Sequence, residues 1–180
     1  MPSNELDNFI QQRERPIVLV GMMGCGKTYI GQILATKLNA QFIDTDDLIE
    51  KEEGTIISDI FTNKGESYFR RCEALAFERA MQDRTAVIST GGGLLTTPST
   101  VGIMKQHSIS IWLRSDIEDI LTRLEGDITR PLLQVDSPED ELRRLLKNRE
   151  ALYSKADIHI HNKDEANNVV ETIVQKLKGT

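Results

Sequence analysis

Apolar positions in this chain alternate between short continuous runs and longer stretches of helical spacing. Pro16-Ile17-Val18-Leu19-Val20 is such a run, the pattern of a strand buried on both faces. A glycine-rich segment from Gly21 to Gly26 follows. Ile30, Ile33, Leu34 and Leu38 then recur at helical spacing, predicting a helix over 27–38. Gln41-Phe42-Ile43-Asp44 predicts a second strand. Helices are expected over about 56–63 and 66–82, parted by Gly65. In the second of these, Phe69, Cys72, Ala76 and Ala80 share one face.

Ala86-Val87-Ile88-Ser89 predicts a third strand that ends in Gly91-Gly92-Gly93, and residues 109–113 predict a fourth. Residues 117–124 read as a helix, whereas 125–135 have no clear period. Ser137-Pro138-Glu139-Asp140 is a helix start, with a cap, a proline at the first position and acids in the first turn. Asp157 to His161 predicts a fifth strand, and a helix over about 164–177 closes the chain. Neither an internal repeat nor a low-complexity segment interrupts this order. Strands alternating with helices imply a parallel sheet covered on both faces. Ligands of such sheets sit at the carboxyl ends of the strands, which places the residues after strands one, two and three around one crevice.

The 180 residues fit one domain, expected over 16–180, with the polar first 15 residues as a loosely held extension. A net charge of −6 argues against general binding to nucleic acid or an anionic membrane. It leaves room for a small anionic substrate, because a few placed arginines reverse the local field. The longest apolar run is far short of the ~18 residues that span a bilayer, and the N-terminal residues lack a secretory apolar core. Two cysteines make no disulfide framework, so a reduced, cytoplasmic protein is expected.

Gly21-Met22-Met23-Gly24-Cys25-Gly26-Lys27-Thr28 matches the phosphate-loop pattern G-x-x-x-x-G-K-[ST] in full. Its glycines let backbone N–H groups turn inward around phosphate oxygens, and the helix that opens at Lys27 adds its positive dipole end. Lys27 is suited to the outer phosphates of a nucleotide, and the Thr28 hydroxyl to Mg²⁺. The ligand class is then ATP or GTP.

Asp44 and Asp46 lie two residues apart. In an extended chain both face the same side, beside the phosphate loop. One acid near Mg²⁺ and one near an acceptor hydroxyl is what phosphoryl transfer to an alcohol requires. Asp47 is expected instead to cap a helix that starts near Leu48. The triple glycine allows close approach of backbone to a ligand. Arg70 and Glu73 form an i,i+3 pair that could aim the arginine at a carboxylate ligand. Arg130, in Arg130-Pro131-Leu132-Leu133 of the irregular stretch, could close over phosphates. Arg149 is expected near a helix end.

Together these motifs resemble the shikimate kinase family. The resemblance rests on G-M-M-G-C-G-K-T, D-T-D at 44–46, G-E-S-Y-F-R-R-C-E at 65–73, T-G-G-G at 90–93, R-P-L-L at 130–133 and R-E-A-L-Y at 149–153, and covers about 16–178. It implies an α/β fold, a three-layer α/β/α P-loop kinase with a five-stranded parallel sheet and a mobile lid at about 125–137. Substrate-binding helices would span about 46–82. It implies the reaction of ATP with shikimate to give ADP and shikimate 3-phosphate, on the route to chorismate and the aromatic amino acids, by a monomer.

By the same match, Asp46 would hold the acceptor hydroxyl and act as base, with Lys27 and Arg130 as its catalytic partners. Gly24, Cys25, Gly26, Lys27, Thr28, Tyr29, Arg123 and Arg130 would bind ATP. Arg70, Arg149 and Gly91, Gly92 and Gly93 would bind shikimate alongside Asp46, over an apolar wall of Phe61 and Phe69. Thr28 and Asp44 would hold Mg²⁺. Cys25 and Tyr29 replace residues that are commonly Ser or Thr in the family. Cys25 sits at a helix N-terminus, which can activate a thiol, but an inert thiol is expected.

Three other readings fit less well. Asn162-Lys163-Asp164-Glu165 superficially resembles the guanine-reading N-K-x-D of GTPases, but ends in Glu. A related kinase for gluconate or a nucleoside monophosphate is opposed by the triple glycine and R-P-L-L. A catalytically dead module is opposed by the presence of Asp46, Lys27 and Arg130. His159 and His161 face one side of a strand without an evident third metal ligand.

Overall fold

The structure is a computed structural model and describes residues 14–125 and 135–179. Five parallel strands form one sheet among these residues: β1 (Ile17–Val20), β2 (Phe42–Asp44), β3 (Val87–Ser89), β4 (Ile109–Arg114) and β5 (Ile158–His161). Their spatial order is β2-β3-β1-β4-β5. β1 lies at the centre, which explains its unbroken apolar run: all four of its residues are buried. Ile17 pairs with Val87 on one side and with Ile109 on the other.

Eight helices occur among the described residues: α1 (Lys27–Lys37), α2 (Thr45–Glu53), α3 (Ile57–Lys64), α4 (Glu66–Ala80), α5 (Pro98–His107), α6 (Ile117–Leu124), α7 (Pro138–Tyr153) and α8 (Ala166–Leu177). The result is the expected three-layer α/β/α architecture. α1 packs on α8 and against β3, while α5 packs on α4 and β4. Gly31 lets α1 come down onto the sheet, since a side chain there would meet the Phe42 ring at 2.6 Å.

α2, α3 and α4 build a small apolar core of their own. Ile49, Ile60, Phe69 and Ala76 are its buried members, with Phe61 and Tyr68 packed against them. Glu53 ties the three helices together as well, accepting from Lys64 Nζ at 2.6 Å and from Tyr68 Oη at 3.0 Å. The helices expected to bind the acceptor are therefore a separately packed unit on the edge of the main core.

Two elements differ from expectation. The stretch after the triple glycine folds into a short 3₁₀ turn at Leu94–Thr96 and then α5. α2 begins at Thr45 rather than near Leu48, and Asp44 caps it in place of Asp47: the Asp44 side chain accepts from the Asp46 N–H at 3.0 Å. Asp46 thus stands in the first turn of a helix, where the dipole favours an acid, and not on an extended strand. The irregular stretch with Arg130, Pro131, Leu132 and Leu133, and the first 13 residues, lie outside the described residues. No described helix is long and apolar enough to cross a membrane.

Candidate active site

β1 ends into the phosphate loop, which leads directly into α1. Gly24 and Gly26 take left-handed φ values of 72° and 95°, which favour glycine. Lys27 is 8% exposed and curls back over its own loop, donating to Gly21 O at 2.9 Å and Met22 O at 2.8 Å. Cys25 is fully buried, with Sγ 3.7 Å from Lys27 Nζ, which leaves its thiol closed to solvent reagents. Tyr29 is 64% exposed at the rim.

Beside the loop, Thr28 Oγ1 donates to Asp44 Oδ2 at 2.8 Å and lies 3.5 Å from Ser89 Oγ. The two Asp44 oxygens are thereby divided, one facing Thr28 and the other capping α2. This small set of hard oxygen donors fits Mg²⁺, which takes one or two carboxylates and keeps phosphate and water oxygens for the rest. No cluster of three or more His, Cys, Asp or Glu suited to a metal occurs among the described residues, so phosphate oxygens would have to complete such a shell. His159 and His161 part company, His159 Nε2 donating to Ser154 O at 3.2 Å and His161 Nε2 pairing with Asp116 Oδ1 at 3.1 Å.

The main cavity, about 460 Å³, opens between the loop, α2, α3, α4 and the triple glycine. Asp46, Arg70, Glu73 and Arg149 line it, and so do Phe61 and Phe69, whose ring centroids are 4.8 Å apart. Arg70 Nη1 donates to Glu73 Oε2 at 2.7 Å, and its Nη2 to Glu66 Oε1 at 2.9 Å. Burial works against the Arg70 charge, but Glu73 and Glu66 outweigh it and raise the guanidinium pKa. Glu73 is 1% exposed. Burial pushes its carboxyl up from the ordinary range, while Arg70 and Arg149 pull the other way. Its second oxygen, Oε1, has no hydrogen-bond partner among the described residues.

The triple glycine is a contact requirement. A Cβ on Gly91 would fall on Glu73 Oε1 and stand 3.1 Å from Asp46 Oδ1, and one on Gly93 would fall on the Arg70 guanidinium. The glycines thus let two carboxylates and an arginine converge on bare backbone. Gly91 N–H donates to the buried Thr45 Oγ1 at 3.3 Å. Arg149, 5% exposed and one turn inside the end of α7, donates to Gly92 O at 3.2 Å. Tyr153 Oη donates to the same carbonyl, and burial pushes the phenol pKa up.

The structure therefore gathers Asp46, Arg70, Arg149, Gly91, Gly92 and Gly93 at one cavity, and Thr28 and Asp44 at its border with the loop. Arg123 lies apart, on α6 behind the loop, donating to Gly24 O at 3.3 Å. Sequence reasoning missed Tyr153, Thr45, Met23 and Ser89. Tyr153 in R-E-A-L-Y, Thr45 in D-T-D and Met23 in the phosphate-loop octet lie inside motifs that carried a signal, and Ser89 does not.

Comparison with known proteins identifies the family. The family model described as shikimate kinase matches residues 23–178. A shikimate kinase of Sulfurihydrogenibium sp. is 42% identical over 163 residues, covering 90% of this chain and 97% of its own. One of Persephonella marina is 44% identical over 146 residues, covering 81% and 88%. Among solved structures, a shikimate kinase from Acinetobacter baumannii in complex with shikimate superposes with a TM-score of 0.90 at 37% identity, covering 94% of this chain and 97% of that one. On its sequence and its fold, the chain belongs to the shikimate kinase family.

Proposed function

We propose that this protein transfers the terminal phosphoryl group of ATP to the 3-hydroxyl of shikimate, giving shikimate 3-phosphate and ADP on the route to the aromatic amino acids. The observation that carries this reading is one cavity in which Asp46, Arg70, Glu73 and Arg149 meet bare glycine backbone beside a complete phosphate loop. The shikimate held by the Acinetobacter relative supports the choice of acceptor.

The roles follow from chemistry. Arg70 and Arg149 bind the acceptor carboxylate through charge-assisted hydrogen bonds worth about 1.5–3 kcal/mol each. Phe61 and Phe69 pack under the carbocycle. The Asp46 carboxylate accepts a hydrogen bond from the attacking hydroxyl and takes its proton as the new O–P bond forms. The loop N–H groups from Gly24 to Tyr29 hold the phosphates, and Lys27 Nζ moves from its own loop carbonyls to the transferring group. Arg123 lies on the adenine side. Arg130, expected to close over the phosphates, lies outside the described residues. Thr28 and Asp44 would hold Mg²⁺, which supplies charge neutralisation on the phosphates when bound. A phosphorylated acceptor is a poor fit, since its second negative charge would enter among Asp46, Asp47, Glu50 and Glu73. The enzyme is expected to act as a monomer in the cytoplasm.

The test is ADP release from Mg-ATP with shikimate, gluconate or AMP as acceptor. Turnover with shikimate alone is expected. Silence with shikimate and turnover with either of the others would overturn the proposal.

A further inference from the structure

The phosphate loop is also held from behind, on the side away from the acceptor cavity. Asn162, the residue after β5, is 6% exposed. Its side-chain Nδ2 donates to the Cys25 carbonyl at 2.9 Å. Its backbone N–H donates to Arg114 O at 2.7 Å, so the residue is itself pinned to the end of β4. Ser115 Oγ approaches the same Cys25 carbonyl at 3.3 Å and accepts from Arg123 Nη1 at 3.1 Å, while Arg123 also holds Gly24 O. Two successive loop carbonyls are thus drawn outward by residues that follow β4 and β5.

A trans peptide sets its N–H opposite its C=O. With the Cys25 carbonyl pulled to Asn162, the Gly26 N–H turns the other way, towards the small cavity lined by Gly24, Gly26, Lys27 and Thr28. Asn162 does not line that cavity and works only through the loop. Gly26 fits the arrangement from its own side. Its φ is 95°, and a Cβ on it would stand 2.7 Å from Asn162 Nδ2. The amide fills the space that the absent side chain leaves.

We infer that Asn162 is a positioning residue for the nucleotide phosphates: by fixing the Cys25 carbonyl, it aims the Gly26 N–H at the phosphate and preorganises the loop before nucleotide arrives. This rests on the nucleotide-binding reading of the loop. A donor from a distant strand is needed because the glycines that allow the cradle also leave it free to rotate. Ser115, at the longer distance, is a secondary brace.

The experiment is calorimetric binding of Mg-ADP, together with the KM for ATP and for shikimate, in the wild type, Asn162→Leu and Asn162→Asp. Leu keeps roughly the volume and removes the donor. Asp keeps the shape and sets an acceptor against the carbonyl. Both should bind ADP about tenfold more weakly and raise the KM for ATP to match, as expected for loss of one buried donor. The KM for shikimate should stay close to wild type, which a merely structural role would not allow, while the melting temperature falls only by the few degrees that one unmade buried hydrogen bond costs. If Asn162→Leu does not fold, Asn162→Asp carries the test. ADP affinity unchanged in a folded variant, or ADP and shikimate affinities falling in step, would overturn the inference. Failure of the wild type itself to bind ADP would instead overturn the nucleotide reading beneath it.

Discussion

Arg70 and Glu73 meet at 2.7 Å on one face of α4, and the pair occupies the ground above Gly91 and Gly93 that side chains would otherwise take. One carboxylate oxygen orients the guanidinium, and the other points at the backbone of Gly91. A buried acid here costs desolvation, and the cost is offset only while Arg70 stays beside it.

That balance makes stability depend on pH. Burial raises the folded-state pKa of Glu73 above the ordinary 4.5, so the folded protein keeps a proton that the unfolded chain releases. Stability from this group is present below that value and falls as pH rises through the raised one. Glu73→Gln does not titrate, so it should gain on the wild type as pH rises from about 4 to 7. Melting temperatures of both proteins across that range check this. A wild type that gains on the variant instead would mean that Arg70 outweighs burial. The variant should also raise the KM for shikimate and leave that for ATP unchanged, because Arg70 loses its brace.

Asp46 stands in the first turn of α2, lining both the main cavity and the small cavity at the phosphate loop. Asp46→Asn keeps the shape and loses the base. Turnover should fall about 10²–10⁴-fold, the usual worth of a positioned base, while ADP affinity holds in calorimetry. Near wild-type turnover would remove the acceptor role.

The proposed mechanism brings the positive charge of Lys27 from its own loop carbonyls to the transferring group. Lys27→Ala should lower kcat by at least about a hundredfold, measured as shikimate-dependent ADP release. Because Lys27 also binds two loop carbonyls, the variant should bind ADP less tightly as well.

Gly93→Ala tests the packing argument without touching a charge. Its Cβ would fall on the Arg70 guanidinium, so Arg70 must swing away. The KM for shikimate should rise about tenfold or more, as when one charge-assisted contact is lost, with ATP binding intact. Steady-state kinetics with each substrate varied in turn will separate the two.

Some of this site was legible because it is contiguous. The octet ending at Lys27-Thr28 needs only its own glycines, a buried strand before it and a helix after it. The Arg70–Glu73 pair follows from i,i+3 spacing on one helix. Asp44 and Asp47 were harder to separate: Asp44-Thr45-Asp46-Asp47 offers a cap at more than one position, and the choice depends on where the strand stops. α5 went unread although Thr97-Pro98 resembles the start at Ser137-Pro138. Its Ser, Thr and Gly content is poor helix-forming material, and packing against α4 and β4 makes up the difference.

The nucleotide loop, the alternation of strands and helices, the chemical kinds of residue available to an acceptor and, through motif order, the family could all be read from the amino-acid sequence. Those properties depend on neighbours a few residues apart, where backbone geometry is set by local spacing. That Glu73 lies over Gly91, that Tyr153 and Arg149 share the Gly92 carbonyl, and that Asn162 holds Cys25 across 137 residues of chain became visible in the folded molecule alone. Such contacts form when strand order brings distant segments together, and no local period records which carbonyl a returning side chain will meet.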